Sequence, residues 1–243
     1  MAFNLKYFRY NESSILIEWP AVIDENLLKD ILNYKKYIEN YYIKQKVEVI
    51  NSYSSLLIKY NVTIDNINDR LKELKALYRN RNNIYFTKPV IWNIPVCYDT
   101  EFGVDLDAFV QEKKLSKSEV ISIYSDVIYT VYFIGFLPGF LYLGGLDNRL
   151  FLDRKTTPNL NVKKGSVAIG GQQTGIYPQD SPGGWHVIGN SPIQLFNTKQ
   201  NTPCIIKAGD KVKFSPVDKL EHKNILDKVN TSNYQIKSIS NND

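Results

Sequence analysis

Eleven of the chain's thirteen glycines lie between Gly135 and Gly189, and the first 102 residues contain none. Glycine lets backbone turn through positive φ or come close to a ligand, so this skew marks where a binding site would be sought. The stretches read GFLPGFLYLGG (135–145), GSVAIGGQQTGIYP (165–178) and SPGGWHVIG (181–189). Rings and β-branched residues stand between the glycines, which distinguishes them from flexible Gly/Ser linker. They read as ordered, tightly turned loops between short strands, where functional residues are commonly carried.

Several familiar chemistries lack their residues. The two histidines, His186 and His222, and the two cysteines, Cys97 and Cys204, stand at unrelated spacings, so neither a zinc site nor a disulfide framework is expected. His186 follows a tryptophan on an expected strand edge and reads as a surface residue rather than a general base. No G-x-S-x-G elbow occurs. GGQQTG lacks the lysine and hydroxyl residue of a phosphate loop, and no G-x-G-x-x-G opens a helix. A net charge of +5 on 243 residues describes a mildly basic solvated surface and calls for no nucleic acid. No apolar run approaches the roughly 20 residues of a membrane span, and MAFNLKYFRYNESS is no signal peptide. A soluble cytoplasmic protein is the expectation.

The elements that would position the glycine-rich loops fall in two halves. Over residues 1–88, strand signals at 3–7, 14–19, 47–50, 55–60 and 84–86 alternate with two helices. Asp24 is placed to cap the first helix, whose apolar face reads Leu28, Ile31, Leu32 and Ile38; the second carries Ile67, Leu71, Leu74 and Tyr78. Both stripes read as core, giving an α+β domain of ferredoxin-like type. The proline-punctuated stretch 87–103 holds the boundary. Ser116 and Glu119 fit a capping box. From residue 127 onward short strands and turns dominate, predicting a β-barrel or sandwich over 89–225. Residues 226–243 read as a loose polar tail.

The segments GFLPGFLYLGGLDNRL, GSVAIGGQQTGIYPQDSPGGWHVIG and AGDKVKFSPV, with IPVCYDTEFGVDL near 94–106, are similar to the B-type subunit of 5-oxoprolinase. That family is also called allophanate hydrolase subunit 1 or the sporulation-kinase inhibitor, and is related to half of the carboxyltransferase domain of urea carboxylase. The resemblance runs over essentially the whole chain, most sharply over 94–216. It implies an α/β domain followed by a cyclophilin-like β-barrel, and a homologous second subunit as partner, with a third subunit in the oxoprolinase assembly. It further implies ATP, with Mg2+, bound together with the partner, and phosphorylation of the lactam oxygen on the way from 5-oxoproline to glutamate. Inhibition of a sensor histidine kinase and a urea-type carboxyltransferase component are the other functions it allows.

Roles suiting that chemistry can be given to particular residues, although the sequence singles out no catalytic group. Gly135, Gly139, Gly183 and Gly184 would form a main-chain nest for phosphate or carboxylate oxygens. Gln173 and Thr174 would orient a small polar substrate beside Ser181, with Tyr142, Tyr177 and Trp185 as walls. Arg149 and Arg154, or the partner, would supply the cations that phosphoryl transfer needs. A plainer reading of GFLPGF has its glycines shaping barrel corners and Phe136 and Phe140 in the core. Four positions depart from the family's usual pattern: Tyr124 for histidine, and Thr130, Asn159 and Asn190 for arginine. Lost arginines are lost bidentate donors to an anion.

Overall fold

The computed structural model describes residues 3–82 and 88–239. The chain divides into two compact units, residues 1–88 and 89–243.

The first unit comprises β1 (Lys6–Asn11), β2 (Ser14–Glu18), α1 (Glu25–Tyr41), β3 (Glu48–Asn51), β4 (Ser55–Lys59) and α2 (Ile67–Asn80). Its sheet runs β1-β2-β4-β3, antiparallel at every pairing. Asp24 caps α1 by accepting the Asn26 and Leu27 amides at 2.9 Å. The buried face of α1 is Leu27, Leu28, Ile31, Tyr34 and Ile38, with Leu32 only half-buried. Tyr34 takes that place because its hydroxyl has a partner inside, the Leu74 carbonyl at 2.7 Å. Trp19, Tyr78 and Arg81 converge on the Asp30 carboxylate.

A ferredoxin-like sheet would carry, beside β2, a strand that follows α2. That edge is held by β1 instead, and Ile84–Phe86, the expected closing strand, lies outside the described residues. What stands is an antiparallel four-stranded sheet with two helices, a sheet order that the hairpin Asn11–Ser14 dictates by folding β1 onto β2.

The second unit begins with β5 (Ile91–Cys97), α3 (Leu106–Lys113), α4 (Lys117–Asp126), β6 (Ile128–Ile134) and β7 (Leu141–Gly144). There follow β8 (Asn159–Val162), β9 (Ser166–Gly170), β10 (Gln173–Ile176), β11 (Ser181–Gly183), β12 (His186–Asn190), β13 (Lys211–Val217), α5 (Lys219–Asn230) and β14 (Lys237–Ile239). Seven strands in the order β12-β9-β10-β7-β6-β13-β5 close into a barrel where Asn190 of β12 pairs Cys97 of β5. Strands β8 and β11 form a separate ribbon. Barrel closure removes the exposed strand edges of so short-stranded a sheet. The capping box forms as its spacing predicts: the Glu119 amide donates to Ser116 Oγ at 3.2 Å, and the Ser116 amide to Glu119 Oε2 at 2.7 Å.

The expected loose tail is partly structured. Helix α5 runs on to Asn230, and Lys237–Ile239 adds to β5 opposite Ile91–Asn93. Val229, Tyr234 and Ile236 pack against the barrel core, an apolar set diluted by the polar residues between them.

Inside the barrel Tyr124 is fully buried, stacked on Phe214 at 5.1 Å, with its hydroxyl 2.6 Å from Thr174 Oγ1. Thr174 Oγ1 also lies 2.8 Å from the Ala168 carbonyl. Thr174→Val would strand the Tyr124 hydroxyl in an apolar interior, and about 1–3 kcal/mol of stability is expected to go with it. Tyr124→Phe leaves Thr174 its carbonyl partner and should cost less, about 1 kcal/mol. Chemical denaturation of the two variants checks the order.

Candidate functional site

Across the outer face of the barrel, Tyr142 of β7 stands opposite Gly175 of β10, Gly175 opposite Ala168 of β9, and Ala168 opposite Val187 of β12. Gln173 faces Gly170 one pair further on. The floor of this face is therefore nearly bare of side chains, and aromatic rings lie over it. Phe140 packs edge-on against Tyr177 at 5.1 Å and Trp185 at 5.6 Å, while Tyr142 lies 4.7 Å from Phe140 and 5.8 Å from Trp185. A β-carbon on Gly170 would come within 2.4 Å of the Trp185 ring, and one on Gly175 within 2.6 Å of the Leu141 carbonyl oxygen. These glycines are required for close ring packing.

The sequence expectation thus divides. Tyr142, Gln173, Tyr177, Gly183, Gly184 and Trp185 gather around one face, but Tyr177 and Trp185 are 2% and 4% exposed and close upon their neighbours. They form a packed cluster rather than open walls; Tyr142 stays half-buried. Thr174, one residue out of phase with Gln173, points into the barrel, where Tyr124 and Ala168 use its hydroxyl. The proposed nest is not built as expected. The Gly135 amide donates to the Phe140 carbonyl at 3.2 Å, Gly139 (φ +87°) turns the hairpin against Phe196, and Gly183 lies beneath the Tyr177 hydroxyl. Phe140 is core, as the plainer reading of GFLPGF has it, whereas Phe136 is 62% exposed. Ser181 Oγ bonds locally to the Pro182 carbonyl at 3.2 Å.

Of the two arginines, Arg149 is committed. It chelates Asp147 through Nε and Nη2 at 2.9 and 2.8 Å, which with the Arg149 amide holds the Asp147 carboxyl down to about 2. Arg154 is exposed and makes no hydrogen bond or ion pair among the described residues. Its Nε lies 3.9 Å from where a Gly184 β-carbon would be, and its charge acts on both Tyr142 and Tyr177. Burial raises the Tyr177 phenol to about 12 and Tyr142 also above its usual range, with Arg154 opposing both shifts, so both remain neutral donors near neutral pH.

The segment carrying Arg154 is fastened on both sides. His186 Nε2 meets the Asp153 carbonyl at 2.9 Å, the Lys155 amide donates to the Gly184 carbonyl at 2.8 Å, and Lys155 Nζ pairs with Asp105 at 2.6 Å. Asp105 in turn accepts the Val187 amide at 2.8 Å. Sequence reasoning missed Asp105 and Lys155, because their pairing spans fifty residues and follows no local pattern. The arrangement presents one unpaired guanidinium, with amide and phenol donors, to an anion or a polarised carbonyl. Among the described residues no three His, Cys, Asp or Glu side chains gather to hold a metal. Of the departing positions, Thr130 accepts Lys211 Nζ at 2.7 Å, and Asn159 and Asn190 line a separate hollow. Among the described residues no helix is long and apolar enough to cross a membrane.

Residues 5–206 match the family described as carboxyltransferase domain, subdomain C and D, and the chain belongs to that family, within the group formed by the B-type subunits of 5-oxoprolinase. It is 33% identical over 228 residues to the B-type 5-oxoprolinase subunit of Bacillus subtilis, covering 87% of this chain and 92% of that one. With the Haemophilus influenzae protein of the same name it shares 49% over 121 residues, half of this chain and 57% of the other. The crystal structure of the Kluyveromyces lactis urea carboxylase superposes with a TM-score of 0.81 at 20% identity, over 97% of this chain and 24% of that one, a likeness of fold.

Proposed function

We propose that this chain is the B-type component of a hetero-oligomeric, ATP-dependent assembly that opens 5-oxoproline to glutamate. The observation that carries the reading is the 33% identity spanning 92% of the Bacillus subtilis 5-oxoprolinase component. The unpaired Arg154 beside the phenols supports it, since a lactam whose oxygen takes up phosphate acquires negative charge there. An amide carbonyl is a poor electrophile. Transfer of the γ-phosphoryl group of ATP to the lactam oxygen releases ADP and turns that oxygen into a leaving group. Water then adds to the ring carbon and the C–N bond breaks, leaving an acyl phosphate; a second water attacks its carbonyl carbon and phosphate departs with the former lactam oxygen. Phosphoryl transfer is chiefly positioning and charge stabilisation. In this chain Arg154 would hold the developing charge, with Gln173 and Tyr142 orienting the substrate; ATP and Mg2+ would be held largely by the companion subunit.

Co-expression with its companion subunits tests the reading. The chain should co-elute with them as one complex, and ADP release should depend on 5-oxoproline only when all are present. A chain that elutes alone, or a complex whose ADP release ignores 5-oxoproline, would contradict it.

A further inference from the structure

A second hollow, of about 640 Å3, lies in the barrel unit beside α5, with Val187 common to its lining and to the Arg154 face. Small-ligand sites commonly fall between about 300 and 1,000 Å3. Its lining is unusually rich in buried polar groups. Ser191 is 2% exposed, Ser166 3%, His222 5% and Asn190 9%.

Buried polar atoms are nearly always hydrogen-bonded, so a polar atom without a partner asks for an explanation. Asn190 and His222 satisfy each other: Asn190 Oδ1 lies 2.9 Å from His222 Nε2, and Asn190 Nδ2 donates to the Lys164 carbonyl at 2.8 Å. Burial lowers the His222 imidazole below its usual range. The Ser191 hydroxyl is fully buried and has no hydrogen-bond partner among the described residues. Ser166 Oγ likewise makes no side-chain hydrogen bond among the described residues. Neither serine is loosely placed. The Ser191 amide donates to the Gly165 carbonyl at 2.8 Å, and a β-carbon on Gly165 (φ +82°) would lie 2.2 Å from the Ser191 carbonyl oxygen.

Charge decides which ligand suits such hydroxyls. Glu101, the acidic residue of the lining, is paired with Lys219 at 3.1 Å, and Lys163 with Asp180 at 3.2 Å. Lys164 has no ion-pair partner among the described residues, which leaves the uncommitted charge of the hollow positive. We propose that this hollow is a binding site for a small carboxylate, which accepts hydrogen bonds from Ser191 and Ser166 and is neutralised by Lys164. Ile193 and Leu226, also in the lining, would flank its hydrocarbon part. The proposal does not depend on the lactam-opening reading and can be tested on the chain alone.

The experiment is a chemical-shift titration of the full chain with butyrate, with butyramide as the neutral isostere and with inorganic phosphate as the alternative anion. Butyrate should give saturable shifts at the amides of Gly165, Ser166 and Ser191, and neither of the others should. Ser191→Ala should weaken butyrate about tenfold, the loss of one hydrogen bond to a charged acceptor. The same variant should melt at an unchanged or higher temperature, because it removes a hydroxyl that the free protein leaves unpaired. The proposal is overturned by no saturable response, by equal binding of butyramide, by tighter binding of phosphate, or by wild-type affinity in Ser191→Ala. It is also overturned if that variant melts lower, since the hydroxyl would then hold the fold.

Discussion

Arg154→Ala is expected to lower kcat/KM for 5-oxoproline in the reconstituted assembly roughly a hundredfold, as befits a lost hydrogen bond to a charged group. Its melting temperature should not move. The side chain is exposed and makes no bond in the free chain, so nothing in the fold leans on it. Arg154→Lys separates charge from geometry. Lysine supplies a point charge without the planar fork, so it should recover only part of the activity if both guanidinium arms engage the substrate. Arg149→Ala serves as the control, because Arg149 is already spent on Asp147 and its loss should leave turnover near wild type. Steady-state kinetics on the three variants, beside thermal melts, decide whether the unpaired arginine is the one that matters.

Gly175→Val is expected to act in the opposite way, on stability first. A β-carbon at this position meets the Leu141 carbonyl oxygen at 2.6 Å and the Phe140 ring at 2.9 Å. The oxygen belongs to the neighbouring strand and cannot rotate aside. Overpacking of this kind costs about 1–3 kcal/mol, and the upper end is expected where backbone is the obstacle. For a unit of this size that lowers the melting temperature by about 6–12 °C. A glycine kept for main-chain anion binding would instead tolerate substitution in the free chain and lose only ligand affinity. Thermal melts of the variant without ligand therefore tell a packing glycine from a binding one.

Much of this fold was legible because it rests on local chemistry. The Asp24 cap and the Ser116–Glu119 box form as their spacing requires, and the crowding of Tyr142, Tyr177 and Trp185 around one glycine-rich face follows from strand alternation within 141–187. Alternation was also the signal that went unused for Thr174. If Gln173 faces outward, its neighbour must face the core. What local reasoning missed was non-local. Closure through Asn190 and Cys97, the Asp105–Lys155 pair, and the return of Lys237–Ile239 to β5 join residues 50 or more positions apart. The placement of β1 beside β2, where a later strand was expected, depends on which segment reaches that edge, and no periodicity records it.

The most direct test of the lactam-opening account follows one oxygen atom. With 5-oxoproline carrying oxygen-18 at the ring carbonyl, the complete assembly should release inorganic phosphate bearing that label, one labelled phosphate for each glutamate formed. Glutamate that keeps all of the label while the phosphate stays unlabelled would mean that the lactam oxygen does not leave with phosphate, and would contradict the account.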